Sequence, residues 1–194
     1  MKQTAQIYII IAIIAVVAII IVASNAFYVV DIKSQCVITQ FGRPVKVVTK
    51  PGLNMKTPFV QKVRYFEKRI FEWDGESSDI LTRDKENIGI NTWARWKIVE
   101  PLKFYTSLGT EDRGQGVLDE VIESAVKNIV SAYPLNEVLR NSNRKLEYTT
   151  VELEKAEIDK KVKVTHGRNS LVKEINEMAN KELRERYGME LVDV

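Results

Sequence analysis

The sequence predicts an α+β protein: a single N-terminal transmembrane helix, then a β-rich half, then a helical half closed by a short strand. Three observations carry that reading. Residues Ile7 to Val30 form one block in which only Ser24 and Asn25 are not apolar. Residues 31–100 hold short apolar or alternating runs punctuated by Gly and Pro, the mark of strands and turns. Residues 101–188 switch to apolar positions three and four apart, the mark of amphipathic helices. The expected organisation is a tail and anchor over 1–30 and one domain over 31–194, β-rich at 31–100, mainly helical at 101–188, with a terminal strand at 189–194.

The apolar block comes first. Lys2 is the only charged side chain before Asp31, so 54 of the 55 charges lie in residues 31–194. A helix through the block is about 36 Å long at ~1.5 Å per residue, enough to cross a ~30 Å hydrocarbon core with some tilt. Fourteen of its residues are Ile or Val. These are mediocre helix formers in water, but in lipid the backbone must satisfy itself and helix wins. Ile7 and Tyr8 open the block, Ile14 and Ile21 sit within it, and Phe27, Tyr28 and Val30 close it, with the aromatic rings at the interfacial ends. A cleaved signal peptide is the competing reading, with Ser24-Asn25-Ala26 as a small-x-small site; the long apolar core and thin basic start favour an uncleaved anchor. Charge counting, with Lys2 on one flank and Lys33, Arg43, Lys46 and Lys50 on the other, leaves the membrane side open.

In the β-rich half, Cys36 to Phe41 reads as a short apolar strand stopped by Gly42 and Pro44. Val45 to Thr49 reads as its hairpin partner, closed by Pro51-Gly52. Lys62 to Trp73 is a longer strand candidate. Residues 87–98 alternate, with Ile88, Ile90, Thr92, Ala94, Trp96 and Ile98 on one face and Trp93 as a bulky exception on the other, after a turn at Arg83–Glu86. In the helical half, Pro101 to Leu108 fits a short helix. Val117, Leu118, Val121, Ile122, Ala125, Ile129 and Val130 mark a helix of about four turns that ends before Pro134. Pro134 starts another short helix, Leu135 to Arg140. Residues 144–162 read as a solvated helix of mixed charge, and His166-Gly167 as a break. Leu171, Ile175, Met178, Ala179, Leu183 and Tyr187 mark a last helix with Gly188 at its end, before a strand from Met189.

The chemistry available is sparse. The net charge of +3, read as evenly spread, gives no basis for nucleic-acid binding. His166 and Cys36 are single residues of their kinds. His166 reads as a surface-loop residue, since neither a nucleophile nor an orienting acid can be placed beside it. Cys36 reads as buried, with a nucleophile or a juxtamembrane palmitoylation site as the other readings. Together they cannot make a four-ligand zinc site. Gly114-Gln115-Gly116 reads as a loop opening a helix rather than a phosphate cradle. Trp93 is open between a partner or lipid contact and a ring lying over polar stems. No catalytic, cofactor or metal residues are expected.

Four segments carry a resemblance: Cys36-Val37-Ile38-Thr39-Gln40-Phe41-Gly42-Arg43; Pro51-Gly52-Leu53-Asn54-Met55-Lys56-Thr57-Pro58-Phe59; Ile80 to Lys85; and Trp96-Lys97-Ile98-Val99-Glu100-Pro101. In this order, behind an anchor, the chain resembles the SPFH (band 7, or stomatin/prohibitin/flotillin/HflK-C) superfamily, and within it the bacterial HflC branch. Phe41, Gly42, Pro51, Gly52, Leu53, Pro58 and Phe59 are the motif positions, and "ELRERYGMELVDV" at Glu182–Val194 fits the end of the family's domain.

The resemblance implies a non-enzymatic scaffold in the bacterial inner membrane, with its domain on the periplasmic side. It would pair with an HflK-like partner as a hetero-oligomer and enclose and modulate an FtsH-like membrane AAA+ protease. A stomatin-like organiser of lipid microdomains is the alternative, and a membrane-tethered hydrolase a third. Members of the branch continue past this point into a long charged helix, so the end at Val194 reads as a fragment or a truncation, expected to anchor to membranes without forming the cage.

Overall fold

The structure, a computed structural model, describes residues 2–143 and 164–194. The solvated helix expected over 144–162 lies outside the described residues. The fold is α+β, and the chain divides into two compact units: residues 1–69 with 100–106, and residues 70–99 with 107–194.

The first unit opens with α1, Lys2–Ala26. The apolar block is therefore divided: the helix stops at Ala26, and Phe27–Val30 form strand β1. The aromatic and β-branched residues there favour a pleated surface, and they gain a partner strand, β4 (Gly52–Met55), that a helix would not offer. So Phe27, Tyr28 and Val30 are strand residues and not the last turn of the helix. β2 (Ser34–Gln40) is the centre of an antiparallel sheet of order β3-β2-β5, with β3 Arg43–Val48 and β5 Gln61–Glu67. The expected hairpin is β2–β3, with Cys36 opposite Val48. One face of this sheet packs on the β1–β4 ribbon through Tyr28, Val30, Cys36, Ile38 and Val48, with Val63 against them. The other buries Val37 and Phe66, and Phe66 meets Phe104 of α2 (Pro101–Ser107) edge to face, centroids 5.4 Å apart.

The second unit centres on an antiparallel sheet of order β10-β9-β6: β6 Phe71–Asp74, β9 Trp93–Ile98 and β10 Met189–Asp193. Ala94, Trp96 and Ile98 are buried, as their alternation requires, while Trp93 is 57% exposed on the opposite face. A hairpin joins β7 (Ser78–Leu81) to β8 (Asn87–Ile90).

Two expected strands are each split. The Lys62–Trp73 run breaks at residues 68–70, and its pieces β5 and β6 join different units. The 87–98 run breaks after Ile90, with β8 in the hairpin and β9 in the sheet. Alternation continues through the second break, and the first falls in a run of mixed faces, so periodicity does not reveal either change of pairing partner.

Helix α3, Glu111–Ala132, is longer than its apolar stripe suggested. Gly114, Gln115 and Gly116 lie inside it, with Gly114 buried, so they are not a loop that opens it. Glu111 and Asp112 occupy the first turn, where the helix dipole favours carboxylates. The helix ends at Tyr133, held extended ahead of Pro134. α4, Leu135–Leu139, follows. α5, Arg168–Glu182, runs into a π-helical segment, Leu183–Tyr187, and Gly188 closes it in the left-handed conformation, φ 68°. The buried apolar residues of α3 and α5 pack these helices together, and the Trp73 indole donates to Asp119 Oδ1 at 2.7 Å, joining β6 to α3.

Candidate functional site

The candidate site is the outer face of the β1–β4 ribbon. Its register sets Phe27 opposite Met55 and Val29 opposite Leu53. Because side chains alternate along a strand, these four share one face, and Tyr28 and Val30 point the other way into the core. The outward four are all exposed, Leu53 by 69% and Met55 by 67%. Scattered exposed apolar residues are ordinary, but four on one ribbon face form a patch of the kind that marks an interaction surface.

The ribbon is continuous with α1. Ala26 is the last helical residue and Phe27 the first of β1, and the Lys56 backbone N–H donates to Ala26 O at 2.8 Å. Near the end of α1, Ser24 Oγ donates to Ile21 O at 3.0 Å and Asn25 Nδ2 to the same carbonyl at 2.9 Å. The two polar residues of the block thus bond back to their own helix, as Ser and Asn side chains do when they take a backbone acceptor three or four residues earlier. The side chains of Ile14 and Ile21 are exposed, while those of Ile7 and Tyr8 are not described. Described side chains of α1 begin only at Ile11, and among the described residues no helix is long and apolar enough to cross a membrane.

The motif residues fall in two places. Pro51, Gly52 and Leu53 lead into and form the start of β4, and Gly52 adopts φ 135°, which a side chain would resist. Pro58 and Phe59 lie in the turn to β5, where Thr57 O accepts from Gln61 N at 3.0 Å. Phe59, 77% exposed, has φ 64°. Phe41 and Gly42 make the β2–β3 turn instead, both at positive φ, with Phe41 85% exposed. The ribbon therefore joins Phe27, Tyr28 and Val30 to Gly52 and Leu53, but not to Phe41. Val29 and Met55, absent from the expected site, complete the face; the i, i+2 pairs Phe27–Val29 and Leu53–Met55 were the signal.

Charge is not evenly spread. The first unit carries 11 Lys/Arg against three Asp/Glu, a net +8, so the second carries −5 of the chain's +3. In the second unit a cavity of about 610 Å³ is bordered by Glu72, Asp74, Glu76, Asp119 and Glu123. No group of His, Cys, Asp or Glu among the described residues is placed to hold a metal ion.

Cys36 is buried and burial pushes its thiol pKa up, so the reactive thiolate is suppressed. His166 is exposed, and only its backbone N–H is engaged by Glu137, with its Nδ1 3.2 Å from Thr165 Oγ1.

The SPFH domain / Band 7 family matches residues 28–194, from the first buried residue of β1 to the end of the chain. The chain belongs to this family. It is 37% identical over 161 residues to Protein HflC of Borreliella burgdorferi, across 80% of this chain and 50% of that protein. It is 30% identical over 185 residues to Protein HflC of Treponema pallidum, across 90% and 56%. To the Modulator of FtsH protease HflC of Escherichia coli K12 it is 22% identical over 139 residues, across 68% and 42%. The chain is thus an HflC-like SPFH protein that spans about half the length of the curated relatives it matches. The SPFH match begins at Tyr28, so it takes in the whole ribbon except Phe27 and leaves α1 outside.

Proposed function

We propose that the chain is a membrane-anchored SPFH scaffold, with α1 crossing the inner membrane of a bacterium and the domain on the periplasmic side. It would pair with an HflK-like partner and help enclose and modulate an FtsH-like protease. The observation that carries the reading is the unbroken run from α1 into the exposed apolar ribbon. A helix of 25 residues with no charge after Lys2, whose two late polar side chains bond to its own backbone, leads without a linker into a face of Phe27, Val29, Leu53 and Met55. At ~1.5 Å per residue such a helix is about 37 Å long, which suits a span. The name of the Escherichia coli relative, a modulator of FtsH protease, supports the partner assignment.

The test is protease accessibility of the domain in intact cells and in spheroplasts, together with copurification. Digestion confined to spheroplasts, and recovery of an HflK-like protein and an FtsH-like protease with the chain, are the expected results. Protection that persists in spheroplasts places the domain in the cytoplasm and favours the stomatin-like alternative.

A further inference from the structure

We propose that the ribbon reads the charge of the bilayer: its apolar face enters the headgroup boundary of anionic membranes, and Lys33 and Lys50 engage the lipid phosphates beside it. This rests on the membrane-anchored reading above and goes beyond it, because an anchor alone has no lipid preference.

The first observation is geometric. Phe27, Val29, Leu53 and Met55 are exposed together, and Phe59 stands out in the turn that follows. The second is the placement of charge. Lys50 comes two residues before β4 and Lys33 lies in the turn after β1, both at the end of the ribbon where Val30 pairs with Gly52, whereas Lys56, next after Met55, alternates onto the opposite face. Lys33 and Lys50 are exposed and Lys56 is half-buried, its backbone tied to the last residue of α1. Between Phe27 and Phe66 seven Lys/Arg stand against one carboxylate, Asp31. An exposed apolar face with exposed cations at its end is the pattern that binds anionic lipid surfaces, where each nearby Lys or Arg adds attraction.

Charge also decides between occupants. Leaving out Lys2 at the far end of α1, a second copy would bring another unit of net +7 against this one, and the two would repel. An anionic headgroup layer supplies the complement. Long lysine stems can lie along apolar surface while their ammonium groups reach the phosphates.

The experiment uses the full chain with Leu53→Cys, labelled there with the environment-sensitive fluorophore NBD; Cys36 is buried and stays unlabelled in the native protein. The protein is reconstituted into vesicles of phosphatidylcholine alone and of phosphatidylcholine with phosphatidylglycerol, and flotation reports anchoring in each. The expected result is flotation with both, and a blue shift of NBD emission only with phosphatidylglycerol. That shift is lost in ~1 M salt, where the Debye length is about 3 Å. It is also lost in the Lys33→Glu/Lys50→Glu variant, which still floats. Flotation with the same emission in both lipids overturns the proposal and leaves the anchor standing. Emission that follows protein-to-lipid ratio rather than lipid charge shows a second copy on the face and also overturns it. Failure to float with either lipid removes the anchored reading, and the proposal with it.

Discussion

Glu137 does more for the second unit than its place in a five-residue helix suggests. Its carboxylate is buried, and it accepts from Thr165 N (2.6 Å), Thr165 Oγ1 (2.8 Å), His166 N (2.9 Å) and Gly167 N (2.7 Å). Burial pushes its pKa up, but these four donors together outweigh it and hold the pKa at about 2. The folded pKa is below the ordinary value of 4.5, so the contribution to stability is fully present above pH 4.5 and is lost as pH falls toward about 2. Glu137→Ala leaves the buried Gly167 N–H and the more accessible Thr165 and His166 N–H groups without their acceptor and should cost about 1–3 kcal/mol, read as a lower urea midpoint at neutral pH. Glu137→Gln should flatten the stability-versus-pH curve between pH 4.5 and about 2; a curve as steep as the parent's would show that the acid sensitivity lies elsewhere. None of this was legible in the sequence, because the carboxylate and its donors are 28–30 residues apart. The burial of Cys36 was legible, since it sits inside an apolar run, β2, that is the centre of its sheet.

Elements were readable where packing and punctuation agree. The stripe on α3, the stop before Pro134, the break at Gly167 and the end at Gly188 all follow from local rules. Strand partners do not, as β5 and β6 show: a single apolar-mixed run serves two sheets. Helix starts fared in between. α3 extends about two turns upstream of its apolar stripe, and α4 depends on a distant cap, Asp84, which accepts from Leu135 N at 3.1 Å. The Thr82 hydroxyl, donating to Asp84, keeps that carboxyl below the usual range, the leading cause of the shift. At the other end of the unit, Gly188 turns the chain from the π-helical segment into β10, and its carbonyl accepts from Val99 N at 3.0 Å. Gly188→Ala must hold a β-carbon at φ 68° and should destabilise by about 1–2 kcal/mol. The expected readout is a lower denaturation midpoint with an unchanged slope; a changed slope would mean that the β9–β10 pairing itself had been lost.

For the whole molecule, the division of charge between the two units was invisible in the total, because +8 and −5 nearly cancel. The apolar N-terminal helix was legible from its composition, its exact end was not. If α1 spans the bilayer, Ile14→Asp at the middle of the span should cost about 3 kcal/mol, with Ile21→Asp nearer its end adding less, together enough to move the chain from the alkaline-carbonate pellet to the supernatant. Retention in the pellet would place its attachment outside the helix. The junction of α1 with β1 has a mechanical consequence. No free hinge residue separates Ala26 from Phe27, and the Lys56 N–H clamps the joint from the neighbouring strand. A domain on a leash would swivel independently of its tether, but this one has no slack. With α1 across a bilayer, as proposed, a thinner bilayer that tilts the helix would tip the ribbon by a similar angle, so membrane thickness itself would become an input that the protein can feel.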